Sequence, residues 1–166
     1  MPGSGKTTLG PKIAAHLLRP FFDLDAFIEQ QEGRLVPELF KQLGEAGFRD
    51  KEAQALKQLT GLVPKAVIAT GGGTPCFREN MRFMNETGFT VYLDTPVPEL
   101  VERLTMQGLE KRPLLAGKNK AELETYLTET LRKRQQFYRQ AVLITRVEGP
   151  VTGFLGKLIN ALSAGA

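Results

Sequence analysis

The sequence predicts an α/β fold in which a parallel β-sheet is covered by helices. Two observations support this prediction. Short apolar segments alternate with longer amphipathic segments along the chain, which is the pattern of strands connected by crossover helices. A glycine-rich segment of the phosphate-binding type also opens directly into the first amphipathic stretch, as it does at the edge of such sheets.

The individual elements follow from hydrophobic periodicity. Leu9, Ile13 and Leu17 recur every four residues and predict a first helix with one buried stripe. The four predicted strands, rich in β-branched and aromatic residues, cover residues 21–24, 66–69, 89–93 and 142–145. The predicted helices cover residues 5–18, 26–32, 35–59, 97–106, 120–138 and 150–163, with interruptions near Gly33 and Gly44.

Length and composition predict one globular domain spanning residues 1–166. With 42% hydrophobic and 24% charged residues, the chain resembles an ordinary soluble protein. Cys76 is the only cysteine, so no intrachain disulfide can form, which suits the reducing cytoplasm. The net charge of +4 favours anionic partners. No nucleic-acid-reading motif and no membrane-length apolar run accompanies that charge, so neither nucleic acid nor a membrane is an expected partner.

A hydrophobic strand is expected before the glycine-rich segment, yet the sequence begins inside that segment at Met1. A parallel sheet without a central strand would leave backbone groups unpaired. We therefore expect that the first β-strand and the first glycine of the motif belong to a longer chain.

The segment Met1–Thr8 carries the core of the motif G-x-x-x-x-G-K-[ST]. Glycine allows backbone N–H groups to surround phosphate oxygens, and the following helix directs its positive end toward the same phosphates. Lys6 would contact the β- and γ-phosphates, and the Thr7 hydroxyl would ligate Mg²⁺. The predicted nucleotide-binding residues of this loop are Gly3, Ser4, Gly5, Lys6, Thr7 and Thr8.

Two carboxylates flank Leu24 at the end of the first predicted strand. Asp23 and Asp25 are two residues apart, which would place both side chains on one face of an extended chain. One could hold Mg²⁺, and the other could accept a proton or hydrogen bond from an attacking hydroxyl. The alternative is that one of them caps the helix that begins near Ala26.

These motifs together resemble the shikimate kinase family in order and approximate spacing. The resemblance covers essentially the whole chain. It rests on Gly3–Thr7, Asp23–Asp25, Phe48–Arg49, Gly71–Gly73, Arg112–Leu115 and Phe137–Arg139.

The resemblance implies a three-layer α/β/α P-loop kinase fold with a parallel sheet, a helical substrate-binding region near residues 24–60 and a mobile lid near residues 107–119. It implies ATP and Mg²⁺ as cofactors and phosphorylation of the 3-hydroxyl of shikimate. Asp25 would bind the ring hydroxyls and act with Lys6 in catalysis, and Asp23 would lie near Mg²⁺. Arg49 and Arg139 would bind the substrate carboxylate, a task that suits the planar guanidinium group.

Further roles implied by the resemblance concern the backbone and the nucleotide. Gly71, Gly72 and Gly73 would approach the substrate through their backbone. Arg112 in the lid would neutralise charge on the transferred phosphoryl group. Arg103 and Pro150 would flank the adenine. A monomer is expected.

Two alternatives to this assignment remain open from sequence. Another small-molecule kinase of the same fold, such as a gluconate kinase, would also need arginines for a carboxylate. A catalytically silent nucleotide-binding module is the second alternative, and the incomplete phosphate loop favours it if the short N-terminus is natural.

Overall fold

The computed structural model describes residues 1–109, 115–146 and 151–164, and within these ranges the chain has an α/β fold with parallel strands. The strands are β1 (Phe21–Asp23), β2 (Val67–Ala69), β3 (Val91–Leu93) and β4 (Leu143–Thr145). The α-helices are α1 (Lys6–His16), α2 (Leu24–Glu32), α3 (Val36–Leu62), α4 (Asn80–Thr87), α5 (Val97–Gln107), α6 (Lys120–Tyr138) and α7 (Val151–Ala164). This confirms the predicted fold class.

The chain divides into two compact units, which are described separately. The α1–α4 unit is Lys6–Gly88, and the α5–α7 unit is Met1–Gly5 together with Phe89–Ala166. The prediction of a single kinase domain with a substrate-binding region and a lid stays a prediction.

In the α1–α4 unit, β1 and β2 form a parallel pair. Phe21 lies opposite Val67 and Asp23 lies opposite Ala69. Because parallel strands end at the same edge of a sheet, the residues that follow β1 and β2 are brought to one place. Asp23 is the last residue of β1, and Asp25 and the triple glycine follow β1 and β2, so the topology brings them to the same edge of the sheet.

The core of this unit lies between α2 and α3. Its members are buried apolar side chains from both helices, namely Leu24, Ile28, Leu39, Phe48, Ala55, Leu56 and Leu59. Gly33 ends α2 in a left-handed conformation with φ of 64°, and Gly44 interrupts α3 with φ of 67°. Both predicted interruptions are therefore confirmed. The interruption at Gly44 lies in the helix that carries Phe48 and Arg49.

In the α5–α7 unit, β3 and β4 form a second parallel pair, with Val91 opposite Leu143. Helix α5 packs on α6. Helix α6 begins where its sequence predicts, because Asn119 and Glu122 form a capping box. The Asn119 side chain accepts from the Glu122 backbone N–H at 3.0 Å, and the Glu122 carboxylate accepts from the Asn119 N–H at 2.9 Å.

Two features of the fold differ from prediction. Leu24 belongs to α2 and not to the first strand, because Asp23 caps that helix. Helix α4 was not predicted, since its residues are mostly polar and no capping signal precedes it. It begins after Arg78 and Glu79, both of which have left-handed backbone conformations.

Helices in the described ranges are all too short or too polar to cross a bilayer.

Candidate active site

The phosphate loop adopts the backbone that its glycines permit. Gly3 and Gly5 have φ values of 74° and 92°, in the left-handed region that favours glycine. The buried Ser4 hydroxyl donates to the Met1 carbonyl at 2.9 Å and closes the turn. The loop leads into α1 at Lys6, and the first turn of α1 holds no acidic residue. That helix end therefore carries no carboxylate that would repel an anion, and Thr7 and Thr8 are exposed there.

Asp23 caps α2, which confirms the capping alternative for this residue. Its Oδ1 accepts hydrogen bonds from the backbone N–H groups of Asp25, at 3.0 Å, and Ala26, at 3.4 Å. The predicted placement of both carboxylates on one face of a strand is wrong, because Asp25 lies in the first helical turn. The two carboxylates nevertheless interact, since Asp23 contributes to the raised pKa of Asp25.

The pKa of the Asp25 carboxyl is raised from 3.8 to about 6. Burial is the largest cause, and the negative charges of Asp23 and Glu52 add to it. Lys6 acts in the opposite direction and favours the charged carboxylate. A carboxylate that titrates near neutral pH is a better proton acceptor than an ordinary aspartate. Lys6 is therefore close enough to Asp25 for its charge to influence the pKa of that carboxyl, and both residues belong to the α1–α4 unit.

Arg49 of α3 is buried, with 7% of its surface exposed. Its Nη1 donates to Glu52 Oε2 at 2.8 Å, and its Nη2 makes a longer contact of 3.5 Å with Glu45 Oε1. Arg49 and Glu52 therefore form a buried ion pair one helical turn apart on α3. Arg49 Nε is buried and has no hydrogen-bond acceptor within the described ranges. A buried donor without an acceptor is costly, so this nitrogen is suited to a ligand carboxylate.

Aromatic rings surround the same guanidinium group. The Arg49 Cζ lies 5.4 Å from the Phe40 ring centroid, 5.5 Å from that of Phe48 and 4.7 Å from that of Phe77. The rings exclude water and attract the cation through their π faces. An anion that reaches Arg49 would meet a guanidinium with little competing solvent, where electrostatic attraction is stronger than in water.

The triple glycine packs closely on these side chains. A Cβ on Gly71 would lie 3.1 Å from Glu52 Oε1 and 3.2 Å from both Asp25 Oδ1 and Thr74 Oγ1. A Cβ on Gly73 would lie only 2.6 Å from Arg49 Cζ. A side chain at position 73 would therefore displace the guanidinium. The structure thus brings Lys6, Asp23, Asp25, Arg49 and the Gly71–Gly73 segment into one unit.

Gly73→Ala should lower the melting temperature, because the added methyl group overlaps Arg49 and overpacking costs about 1–3 kcal/mol. The Gly73 backbone is right-handed helical, so alanine adds no backbone strain. The matched control is Gly61→Ala in α3, where the methyl group meets nothing within 4 Å. It should raise stability by about 0.4–1 kcal/mol. Calorimetry that finds the same sign of change for both variants would contradict this packing.

The remaining predicted residues lie in the α5–α7 unit or outside the described ranges. Arg139 is exposed at the C-terminal cap of α6, where its backbone N–H donates to the Gln135 carbonyl at 2.9 Å. Arg103 pairs with Glu99 on α5 at 2.9 Å. Arg112 and Pro150 lie outside the described residues, as does the middle of the predicted lid, residues 110–114. The roles of the three arginines and of the proline stay predictions.

Sequence reasoning missed two contributors to the site. Thr74 is fully buried and donates to Glu52 Oε1 at 2.6 Å. Phe77 covers the Arg49 guanidinium. The signal that the sequence offered for Thr74 and Phe77 was their position shortly after the triple glycine. The local sequence pattern does not show that they contact Glu52 and Arg49 of α3.

The described residues contain no cluster of three or more histidine, cysteine or acidic side chains that would hold a metal alone. Mg²⁺ does not require such a cluster, because it is usually bound by one or two carboxylates together with substrate phosphates and water. The charges around Asp25 fit a cation. Asp23, Glu52 and Glu29 all raise its pKa, and Lys6 is the positive charge that lowers it.

The parallel strands, the phosphate loop that opens into α1 and the carboxylates at the end of β1 define a P-loop kinase. Comparison with known proteins identifies the family. The model of the family described as shikimate kinase matches residues 2–159. The chain belongs to the shikimate kinase family. Its members use ATP as phosphoryl donor, so the chain is an ATP-dependent kinase with a small-molecule acceptor.

Relatives and solved structures agree with this membership. The chain is 46% identical over 139 residues to a shikimate kinase of Bacteroides fragilis, covering 84% of this chain and 76% of the relative. The crystal structure of shikimate kinase from Bacteroides thetaiotaomicron superposes with a TM-score of 0.90 at 41% identity, covering 97% of this chain and 93% of the other. Shikimate kinase from Acinetobacter baumannii, solved in complex with shikimate, gives a TM-score of 0.85 at 34% identity, covering 99% and 90%.

Proposed function

We propose that this chain transfers the γ-phosphate of ATP to the 3-hydroxyl of shikimate, giving ADP and 3-phosphoshikimate on the route to the aromatic amino acids. Family membership supports the reaction class. The observation that carries the substrate assignment is the buried Arg49, whose Nε lacks an acceptor within the described ranges, together with a half-buried carboxyl of raised pKa in the same unit, Asp25. Shikimate has a carboxylate for the first group and ring hydroxyls for the second.

The acceptor hydroxyl would be held by Asp25. Above pH 6 this carboxylate is ionised, and it can accept a hydrogen bond from a ring hydroxyl and take its proton as the phosphoryl group arrives. Burial favours both the hydrogen bond and the proton transfer, because the charge of the Asp25 carboxylate is poorly solvated before the substrate binds. The backbone of Gly71, Gly72 and Gly73 would lie against the substrate.

The substrate carboxylate would be bound by Arg49 and Arg139. Arg49 is oriented by Glu52 before any substrate arrives, so little side-chain entropy is lost on binding. Arg139 is exposed at the end of α6 and would contribute a second planar group. Two guanidinium groups would fix the orientation of the shikimate ring and would also increase the affinity of the protein for shikimate.

The nucleotide would occupy the phosphate loop. Backbone N–H groups of Gly3, Ser4 and Gly5 and the side chains of Lys6, Thr7 and Thr8 would contact the phosphates. Arg112 would neutralise charge on the phosphoryl group in the transition state, and Arg103 and Pro150 would flank the adenine. Positioning and charge neutralisation would then account for catalysis.

Mg²⁺ would be held by the Thr7 hydroxyl and, through water, by Asp23. Asp23 uses Oδ1 to cap α2, so its second oxygen is the one suited to a hydrated cation. When bound, Mg²⁺ would screen the charge of the nucleotide phosphates. We also propose that the protein acts as a monomer in the cytoplasm.

The acceptor specificity tests this proposal. ADP release is measured with shikimate, gluconate and a nucleoside monophosphate at equal concentrations. We expect release to depend on shikimate, with gluconate and the nucleotide near the rate without acceptor. Faster release with gluconate would support the alternative sugar-acid kinase, and no acceptor-dependent release would support a silent nucleotide-binding module.

The pH dependence of shikimate phosphorylation should report Asp25. Because the catalytic form is the carboxylate and its pKa is about 6, kcat/KM should fall as the pH decreases through that value. The fall should approach about tenfold per pH unit below it. A profile that stays level down to pH 4.5 in the wild-type enzyme would contradict a proton-accepting role for this residue.

Arg139→Ala should raise the KM for shikimate by about 10- to 100-fold, the loss expected when a charged hydrogen bond to a carboxylate is removed. The KM for ATP should change by less than about twofold, because that contact does not involve the nucleotide. Arg132→Ala removes an exposed arginine within α6 and serves as the control. A selective rise in the KM for ATP would contradict the assignment of Arg139.

A further inference from the structure

Thr74 lies in a buried polar network directly after the triple glycine. It begins a short 3₁₀ turn, Thr74–Cys76, and none of its surface is exposed. Its hydroxyl donates to Glu52 Oε1 at 2.6 Å, across 22 positions of sequence. The contact therefore connects the segment that follows β2 to the helix that carries Arg49.

The two oxygens of Glu52 have separate partners. Oε1 accepts from the Thr74 hydroxyl, and Oε2 accepts from Arg49 Nη1 at 2.8 Å. Only 1% of Glu52 is exposed, so water cannot replace either bond easily. Donation from Thr74 fixes the rotation of the Glu52 carboxylate, because both of its oxygens are then occupied.

Thr74 is itself held by its backbone. Its N–H donates to the Gly71 carbonyl at 3.2 Å, and its carbonyl accepts from Asn80 Nδ2 at 3.0 Å. Asn80 is fully buried as well. The backbone of Thr74 is thus fixed by two hydrogen bonds. The Thr74 hydroxyl therefore has a defined position, from which it can orient the Glu52 carboxylate.

We propose that Thr74 is a positioning residue for recognition of the substrate carboxylate, acting through Glu52 on Arg49. By occupying Glu52 Oε1, the hydroxyl leaves Oε2 for Arg49 Nη1 and fixes the plane of the guanidinium. Arg49 Nε, which has no acceptor in the described part of the chain, is then held in one orientation for the ligand. This inference rests on the proposed shikimate kinase activity and assigns one more residue to its specificity.

A purely structural role for Thr74 makes a different prediction. If the side chain only fills space, valine, which has nearly the same shape, should replace it without effect on the substrate. If the hydroxyl positions Glu52, valine should weaken shikimate binding, and serine, which keeps the hydroxyl, should restore it.

The test compares Thr74→Val and Thr74→Ser with the wild type by steady-state kinetics. Thr74→Val should raise the KM for shikimate by about tenfold, the effect of losing one hydrogen bond to a charged group. The kcat and the KM for ATP should stay within about twofold, because the lost interaction concerns binding of the acid. Thr74→Ser should stay within about twofold of the wild type for all three values.

Four further variants sharpen the result. Thr60→Val is the matched control, since the Thr60 hydroxyl donates only to a backbone carbonyl of the same helix, Leu56, at 2.7 Å. Thr74→Ala removes the same hydroxyl without the shape of valine, and it decides the outcome if the valine variant folds poorly. In a Glu52→Gln background, Thr74→Val should add less than about twofold to the KM for shikimate, because the two residues act in series.

An unchanged KM for shikimate in both Thr74→Val and Thr74→Ala, with an active wild type, would overturn the inference alone. An equal loss in Thr74→Ser or Thr60→Val would also overturn it. A wild-type enzyme that phosphorylates no shikimate would overturn the proposed function and this inference with it.

Discussion

Asp25→Asn is expected to lower kcat with shikimate by about 10²–10⁴-fold, the contribution of a positioned general base. Asparagine keeps the shape and can still accept a hydrogen bond, but it cannot take the hydroxyl proton. Binding of ATP should be nearly unchanged, since the carboxylate is assigned to the acceptor and not to the nucleotide. The measurement combines ADP release with a titration of a fluorescent ATP analogue.

The same substitution should stabilise the protein at high pH. The pKa of Asp25 is about 6 in the folded chain and 3.8 ordinarily, so folding favours the protonated form. As the pH rises through this interval, the unfolded chain loses its proton first and the folded state loses stability. The cost reaches about 3 kcal/mol above pH 6, at 1.36 kcal/mol per pKa unit. The asparagine variant avoids that cost, because its amide side chain stays neutral.

Urea unfolding at pH 8 should therefore show Asp25→Asn to be more stable than the wild type, by up to about 3 kcal/mol. The advantage should disappear below about pH 4, where the wild-type carboxyl becomes protonated in both states. Asp50→Asn is the control, because Asp50 is exposed and forms a surface ion pair with Arg78. Full activity, or a loss of stability at pH 8, in the Asp25 variant would contradict its assignment as a half-buried proton acceptor.

Arg49→Met is the second large effect expected, and it combines a loss of stability with a loss of substrate binding. Glu52 would keep a buried charge with only the Thr74 hydroxyl as a described partner. Breaking a buried ion pair in this way costs about 3–5 kcal/mol. Arg82→Met removes an exposed arginine from a pair with Glu86 on α4 and should change stability by less than about 1 kcal/mol.

The double variant Arg49→Met, Glu52→Gln separates the two roles of the arginine. Replacing both partners removes the unpaired charge, so most of the lost stability should return. Shikimate binding, measured by calorimetry, should not return, because the guanidinium is still absent. A double variant that binds shikimate with wild-type affinity would show that Arg49 serves stability alone.

Local sequence signals were sufficient for the fold class and for most elements. The interruption at Gly33, the helix that begins at Lys120 and the alternation of strands with helices are all decided by residues close in sequence. The phosphate loop was predicted for the same reason. The capping role of Asp23 was predicted only as an alternative. An aspartate at the end of a strand can act equally well as a helix cap or as an active-site residue.

Contacts between distant parts of the chain could not be predicted from such signals. The bond from Thr74 to Glu52 and the ring of Phe77 over Arg49 depend on how the segment after β2 meets α3. Helix α4 depends on two left-handed residues, Arg78 and Glu79, which have no sequence signature. The raised pKa of Asp25 depends on burial, which a single sequence position does not reveal.

A crystal structure of this chain with shikimate and ADP would show whether Arg49 and Asp25 bind the acceptor. We expect the shikimate carboxylate to accept a hydrogen bond from Arg49 Nε and to contact Arg139, while a ring hydroxyl donates to Asp25. A shikimate molecule bound with its carboxylate away from Arg49, or with no hydroxyl on Asp25, would contradict the account.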